Sequence, residues 1–400
     1  MDTSDRKVIF GCCGGVVLIA AVMAVGGWIF YRQAIEPNIP QMSPPDSLEA
    51  EGPSVGGDFM ERSVFFEDER LGIVTDIAAD VSSDPSTERL VIAGGYGAAV
   101  VGSDGDLMEL VEFPRGEDVP YGMIAEVRDV DGDGDHEFLM TSNLLMVPGP
   151  AALLDSSGEI LWRTDLELGP LAAGDVDGDG ELEFAGVSDA GMTLLETDGT
   201  VQWQKGLENY PGWPAGMADT DENGRAEVIH PISEPKERRV EIVGRDANGD
   251  IVHRARRKGD WLTAGFFTQF SMCPWPSRDG QSHLLIPSNK HISLVALDGE
   301  TVLRGTAPGT NIVDHVWGVP VRLRATGPSY LATVTISLKF DTSFLRIHDA
   351  DGELLFERAT NLTDDDAIWP GLAAWQPPGE KHEVLLVGGN GKVWRYEMMD

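Results

Sequence analysis

Two hydrophobic regimes divide the chain. From Val8 to Tyr31 the sequence VIFGCCGGVVLIAAVMAVGGWIFY carries no charge. A helix rises about 1.5 Å per residue, so this stretch is long enough to cross the roughly 30 Å hydrocarbon core with some tilt. Trp28 and Tyr31 lie at one end, where aromatic rings favour the membrane interface. After residue 65 the apolar runs become short and recur in a fixed order: strand, acidic turn, strand, strand, Asp-Gly-type turn, strand. The unit reads clearly as GPLAAGD, VDGDGE, LEFAGVSD, GMTLLETDG and TVQWQKGL. Between the two regimes, PNIPQMSPPDSLEAEGPSVGGDFMER has no apolar periodicity and is punctuated by Asp46, Glu49, Glu51 and Asp58, which predicts an extended, solvated tether.

The expected organisation is a cytoplasmic tail over 1–7, a transmembrane helix over 8–31, a disordered acidic and proline-rich linker over 32–62, and a repeat domain over 63–400. Arg6 and Lys7 precede the apolar segment and Arg32 follows it. This bias predicts a single-pass cell-membrane protein with its N-terminus in the cytoplasm and its repeats outside, periplasmic or extracellular. A cleaved signal peptide fits less well, because the apolar stretch is too long and no small-x-small site follows it. Lipidation at Cys12 is disfavoured, because Phe10 stands where a small residue is needed.

Asp-Gly-type turns fall at Asp104-Gly105, Ser157-Gly158, Asp198-Gly199, Asn248-Gly249, Asp298-Gly299 and Asp351-Gly352. Such pairs favour tight hairpins, with both central residues expected at φ > 0. Four strands every 40 to 53 residues or so is the period of a β-propeller blade. Six turns give six blades. A seventh is left with three strands, GLAAWQ, EVLLVGGNG and KVWRYEMM, and the unassigned strand Ser63–Asp68 is expected to complete it and close the ring. The predicted fold is all-β, a seven-bladed β-propeller; six or eight blades stay open because Trp275 to Arg304 is degenerate.

Composition adds limits. Acidic residues number 66 against 30 basic ones, a formal net charge of −36, which argues against nucleic acid as a partner. Hydrophobic residues at 42% supply a sizeable core. Three cysteines, Cys12, Cys13 and Cys273, exclude a disulfide framework.

The acidic turns carry the chemistry. Three share one spacing: Asp129, Asp131, Asp133, Asp135 and Glu137; Asp175, Asp177, Asp179, Glu181 and Glu183; Asp219, Asp221, Asn223, Arg225 and Glu227. Oxygen-bearing side chains stand at positions 1, 3, 5 and 9, with Gly134, Gly180 and Gly224 at position 6. A hard cation that takes six to eight oxygens suits this set, and Ca²⁺ suits it better than the smaller, strictly octahedral Mg²⁺. Close carboxylates without a cation repel. These are not EF-hands: position 12 is Met140, Gly186 or His230, and the flanks read as strands. A solvated acidic turn would account for one copy but not for three matched ones. The third loop, with an amide at position 5, is expected to bind most weakly.

This pattern resembles the FG-GAP or VCBS calcium-binding repeat of integrin α-subunit propellers and many bacterial surface proteins. The resemblance implies side-chain ligands at positions 1, 3, 5 and 9, and backbone carbonyl ligands at Asp135, Glu181 and Arg225. It implies about three Ca²⁺ ions in a structural role. The first blade has Pro85 in place of the glycine, and the last, read as Trp375 to Glu383, keeps one carboxylate; neither is expected to bind metal. Strands after the Asp-Gly turns carry ILW and VQW, similar to the tails of pyrroloquinoline-quinone-type repeats, and are read as packing between blades.

The calcium loops are expected on one face of the ring. The longer loops, Phe113–Val127, Glu208–Met217, Lys258–Cys273 and Thr306–Val319, are expected on the other. Tyr121, Trp213, Phe270, Trp317 and Trp369 recur near the innermost strands and are candidate contacts for a carbohydrate or a peptide, with packing between blades as the rival account. The scattered histidines make no zinc spacing, and no nucleophile elbow, P-loop or H-E-x-x-H occurs. Arg254, Arg256, Arg257 and Lys258 form a basic cluster, read as a solvated strand edge. Asn361-Leu362-Thr363 fits a glycosylation acceptor. The leading function is a membrane-tethered, extracytoplasmic binding scaffold for a protein or carbohydrate. The alternative is a glycan-active lyase or hydrolase using metal-free carboxylates in the funnel.

Overall fold

The computed structural model describes residues 59–79, 89–114, 124–141, 150–164, 166, 168, 171–188, 191–206, 216–234, 239–258, 271–275, 282–288, 291–307, 315–337 and 341–399. The apolar segment 8–31 and the linker up to residue 58 lie outside them. No helix among the described residues is long and apolar enough to cross a membrane.

The described residues between 59 and 399 form seven four-stranded antiparallel sheets. The first strand is β1 (Met60–Glu67). Blade one follows with β2 (Val74–Ala79), β3 (Arg89–Gly94), β4 (Gly97–Gly102) and β5 (Leu107–Glu112). Blade two has β6 (Ile124–Arg128), β7 (Glu137–Thr141), β8 (Ala151–Leu154) and β9 (Ile160–Arg163). Blade three has β10 (Ala172–Gly174), β11 (Glu183–Ser188), β12 (Gly191–Leu195) and β13 (Val201–Lys205). Blade four has β14 (Gly216–Ala218), β15 (Glu227–Glu234), β16 (Arg239–Arg245) and β17 (Ile251–Lys258). Blade five has β18 (Ser271–Pro274), β19 (Ser282–Ser288), β20 (His291–Val295) and β21 (Thr301–Thr306). Blade six has β22 (His315–Val321), β23 (Tyr330–Ser337), β24 (Thr342–His348) and β25 (Leu354–Asn361). Blade seven has β26 (Leu372–Trp375), β27 (Val384–Gly388) and β28 (Lys392–Met398), and β1 pairs with β28 to complete it. The degenerate stretch is thus a full fifth blade. The closing strand starts at Met60, three residues before the expected Ser63, because Met60 is itself a core residue.

First strands of neighbouring blades line the axis, and β2 touches both β6 and β26, so blade one meets blade two and blade seven. A sheet sandwiched between two others must be apolar on both faces. The middle strands therefore read as unbroken buried runs, as in β7, β12, β23 and β27. The fourth strands alternate, as in β9 and β21, because only one face is covered well.

The Asp-Gly turns differ from expectation. At all six, glycine alone takes positive φ (Gly199 at 80°, Gly249 at 73°), and the residue before it does not. In blade three the Gly199 N–H donates to the Glu196 carbonyl (2.9 Å) and the Glu196 N–H to the Thr200 carbonyl (2.8 Å). The strand register slips by one at the same place in every such hairpin. This is a type I turn followed by a glycine bulge, not a two-residue turn. In three of the six the preceding acid favours it: Asp155, Asp246 and Asp349 each accept two N–H groups of the turn, Asp246 those of Asn248 and Asp250 (both 2.9 Å), while in the other three the aspartate of the Asp-Gly pair accepts the N–H of the residue after the glycine. Each glycine then lies against the fourth strand of the preceding blade. A β-carbon at Gly199 would come within 2.7 Å of the Trp162 ring, whose Nε1 donates to the Thr197 carbonyl (2.7 Å). The tryptophan of ILW is therefore a blade-to-blade packing residue.

Arg254 and Arg256 of the basic cluster both reach the buried Glu241 carboxylate at 3.0 Å, so one of their two charges is balanced within the blade. The side chains of Arg257 and Lys258 lie outside the described residues.

His230 in β15 is fully buried, and its Nε2 accepts from Arg245 Nε at 3.2 Å. Burial, then Arg245 and Arg254, push its pKa from 6.5 down to about 3. A folded pKa below the unfolded one gives stability that is present above pH 6.5 and is lost as pH falls toward 3. The melting temperature at saturating calcium is expected to drop on acidification below pH 6.5. His230→Gln is expected to flatten that slope, measured by calorimetry across pH 4–7.

Candidate metal centre

Each acidic turn joins the first and second strands of its blade. The last residue of the first strand pairs with position 9: Arg128 with Glu137, Gly174 with Glu183, Ala218 with Glu227. The second strand thereby plants its first carboxylate under the loop. The loop itself winds through Asx-type bonds. Asp129 Oδ1 accepts from the Gly132 N–H (2.9 Å), Asp131 Oδ1 from Asp133 (3.1 Å) and Asp133 Oδ1 from Asp135 (2.7 Å). In blade three Asp175 accepts from Gly178 (2.6 Å) and Gly180 (3.1 Å). In blade four Asp219 accepts from Asn223 (3.1 Å) and Gly224 (2.8 Å).

The result is one focus per loop. Ligand oxygens of Asp129, Asp131 and Glu137 lie within 4.8 Å of one another, as do those of Asp175, Asp177 and Glu183, and of Asp219, Asp221 and Glu227. Position 5 is not part of this closest group: Asp133, Asp179 and Asn223 each cap the N–H of position 7, namely Asp135, Glu181 and Arg225. Glu at position 9 is buried in all three loops and accepts the N–H of position 2, from Val130 (2.9 Å), Val176 (2.7 Å) and Thr220 (2.7 Å). Thr220 adds a hydroxyl donor at 2.6 Å.

The electrostatics fit a cation. Burial pushes the Glu137 carboxyl up to about 7; the Val130 N–H opposes this, and Asp131, Asp133 and Asp129 add to it. Glu183 is likewise pushed up to about 7 by burial, against the Val176 N–H and with Asp177, Asp179 and Asp175 adding. An all-oxygen set this crowded is chemically matched to a hard divalent ion. Asp129, Asp131 and Glu137, with their counterparts, are the residues that would hold it, and the ion would neutralise charge that the loop otherwise concentrates.

The sequence reading identified glycine at position 6 and missed position 4. Gly132 (φ 74°) and Gly178 (φ 85°) take the left-handed region there, as Gly134, Gly180 and Gly224 do at position 6. In the third loop position 4 is Glu222 at φ 61°. A side chain there costs roughly 1–2 kcal/mol. Glu222→Gly is expected to stabilise the protein by about 0.5–1 kcal/mol, read from the denaturant midpoint.

Two further contacts join successive loops: the Leu182 N–H donates to the Val130 carbonyl (2.8 Å) and the Ala226 N–H to the Asp175 carbonyl (2.7 Å). Position 8 therefore faces the preceding blade. Arg225 lies over the same seam, since a β-carbon at Gly178 would be 3.0 Å from its Nε.

Other candidates are placed differently. Trp369 is 7% exposed and belongs to the core shared by blades six and seven, so it is not a surface contact; Trp317 is half-buried against the same core. Tyr121, Trp213 and Phe270 lie outside the described residues, as does the first-blade turn from Asp80 to Glu88. On the innermost strands, Asp76 accepts from the Val127 N–H (2.9 Å), Glu126 pairs with Arg128 (2.9 Å), and Arg128 reaches Asp76 at 3.9 Å. Burial raises the Glu126 carboxyl and Arg128 opposes it. These two carboxylates share one guanidinium and tie blade one to blade two.

No family model matches the chain, and no curated protein does. Solved structures with similar architecture include BBS1N in its complex with ARL6DN, 10% identical over 85% of this chain and 97% of that one (TM-score 0.49). The V. cholerae biofilm matrix protein Bap1 is 11% identical over 85% and 91% (TM-score 0.47). An Agrocybe aegerita lectin, described as recognising non-reducing terminal N-acetylglucosamine, is 10% identical over 81% and 94% (TM-score 0.44).

Proposed function

We propose that the protein is a membrane-tethered, extracytoplasmic, calcium-binding propeller that serves as a scaffold for a protein or carbohydrate ligand. The convergence of three carboxylates in each of three consecutive blades carries this reading. Calcium has a structural role in it: one ion pins the corner between the first two strands of blades two, three and four. All four side-chain positions of each loop, with the position 7 carbonyls of Asp135, Glu181 and Arg225, complete the proposed coordination.

The anchor rests on the uncharged run 8–31 and on the bias of Arg6 and Lys7 over Arg32. The ligand-binding role rests on the ring architecture and on the sequence candidates Tyr121, Trp213 and Phe270. Carbonate-resistant membrane association, protease protection of the N-terminus, and glycan-array binding measured with and without calcium test the three parts. Release by carbonate would end the anchor reading. Binding to no glycan would leave a protein ligand as the scaffold's role.

A further inference from the structure

One corner of the ring has the calcium-loop architecture and the opposite charge. Val321 pairs with Tyr330 as Arg128 pairs with Glu137, so the turn of blade six runs from Arg322 at position 1 to Tyr330 at position 9. Its length matches the acidic loops, and Gly327 at position 6 has positive φ (124°). Positions 1 and 3, aspartate in the metal loops, are Arg322 and Arg324.

The next turn supplies the acid. Trp375 pairs with Val384, so the loop of blade seven runs from Gln376 to Val384, one residue later than the sequence reading placed it, and Glu383 is position 8. Side chains alternate along a strand, so a slip of one residue turns a side chain to the other face. The carboxylate that would close its own loop from position 9 therefore points to the preceding blade, as position 8 does elsewhere. The Glu383 N–H donates to the Arg322 carbonyl (2.8 Å), the same kind of link as Ala226 to Asp175. Its carboxylate then accepts the Arg322 N–H (2.6 Å), Nε (3.1 Å) and a terminal guanidinium N–H (3.1 Å). Arg322 also donates to Gln376 Oε1 (3.3 Å), and Arg324 Nε reaches Met398 Sδ (3.4 Å). A fixed cation thus sits at this corner, bound to carboxylate through several charge-assisted bonds.

We propose that the corner between blades six and seven is clamped across the two blades by the Arg322 guanidinium, where the turns of blades two to four would each be pinned by a cation within the blade, and that this corner holds without calcium. The contrast rests on the calcium reading of the acidic loops; the clamp itself does not. Calcium withdrawal then loosens one arc of the ring and leaves the arc beside the closing strand intact.

Hydrogen exchange read by mass spectrometry on the full-length chain tests this. With EGTA, exchange is expected to quicken in peptides spanning 129–137, 175–183 and 219–227 and to stay unchanged in 322–330 and 376–384. Arg322→Met, and the isosteric Glu383→Gln, are expected to quicken exchange in 322–330 and 376–384 by about two- to fivefold at saturating calcium, the effect of losing an ion pair whose arginine is half exposed. EGTA loosening 322–330 and 376–384 as much as the acidic loops, or both variants leaving them unchanged, overturns the proposal. If EGTA changes nothing anywhere while Arg322→Met still loosens its corner, the calcium reading fails and the clamp is supported.

Discussion

If the acidic loops hold calcium as proposed, removing it from the intact protein is expected to lower the melting temperature by about 6–11 °C, and restoring it to return the loss. The size follows from linkage. An ion that binds only the folded state stabilises it by RT ln(1 + [L]/Kd). Calcium sites on extracellular modules have Kd of roughly 10⁻⁴ to 10⁻³ M, so 10 mM calcium contributes about 1.4–2.7 kcal/mol per site. Three sites of this kind give about 4–8 kcal/mol, which sets the shift for a domain of this size. The three loops are not equal. The third has an amide at Asn223 and a basic side chain at Arg225, where the second has Asp179 and Glu181, so less negative charge awaits the ion. Asp175→Asn should therefore cost more of the calcium-dependent stabilisation than Asp219→Asn. Magnesium should reproduce little of it, because the ion is small and dehydrates reluctantly. A calcium titration showing neither heat nor a change in melting temperature would remove the metal from all three loops at once.

How much of this was readable beforehand depends on what each signal constrains. The blade period was legible because Asp-Gly turns and the Asp-x-Asp-Gly-Asp-Gly run are local and recur. The closing strand was legible by elimination, as the one apolar run without a sheet. The geometry of the Asp-Gly turns was not, because the bulged loop forms at all six whether an acid such as Asp246 precedes the turn or, as at Gly102 and Ala296, none does. The blade-six corner was hidden for a related reason. A search for acid at positions 1 and 3 passes over Arg322 and Arg324, and only strand register shows that Gly327 keeps the same frame. Glu383 looked like a ninth-position residue because the one-residue slip of blade seven leaves no mark in the sequence. Trp369 recurs near an innermost strand as the other candidate aromatics do, yet that sequence position does not distinguish an exposed residue from a core one. The core cluster Trp369 belongs to draws Val334, Leu385 and Val387 from other strands.

Substitution of Phe66 by alanine in the closing strand is expected to cost about 3–5 kcal/mol, the usual loss for a buried aromatic ring. Phe66 is 7% exposed and lies in the core cluster of Leu71, Val74, Val384 and Val393, which joins blade seven to the start of blade one. Its strand pairs with β28 from Met60 opposite Met398 to Glu67 opposite Lys392, with a bulge between Val64 and Phe66. Arg62 adds a second grip: its guanidinium lies 4.2 Å over the Trp394 ring and reaches Asp366 at 3.1 Å, which Arg358 of blade six also holds. Deleting 59–67 would be worse than any point change. It would bare the whole length of β28 as an unpaired apolar edge, which templates association with other chains. The truncated protein should aggregate, whereas Phe66→Ala should stay soluble with a lower denaturant midpoint; calcium should raise both Phe66→Ala and the parent by similar amounts, because the closing seam lies outside the three acidic loops. An equal midpoint for Phe66→Ala and parent would mean that β1 is dispensable to the ring.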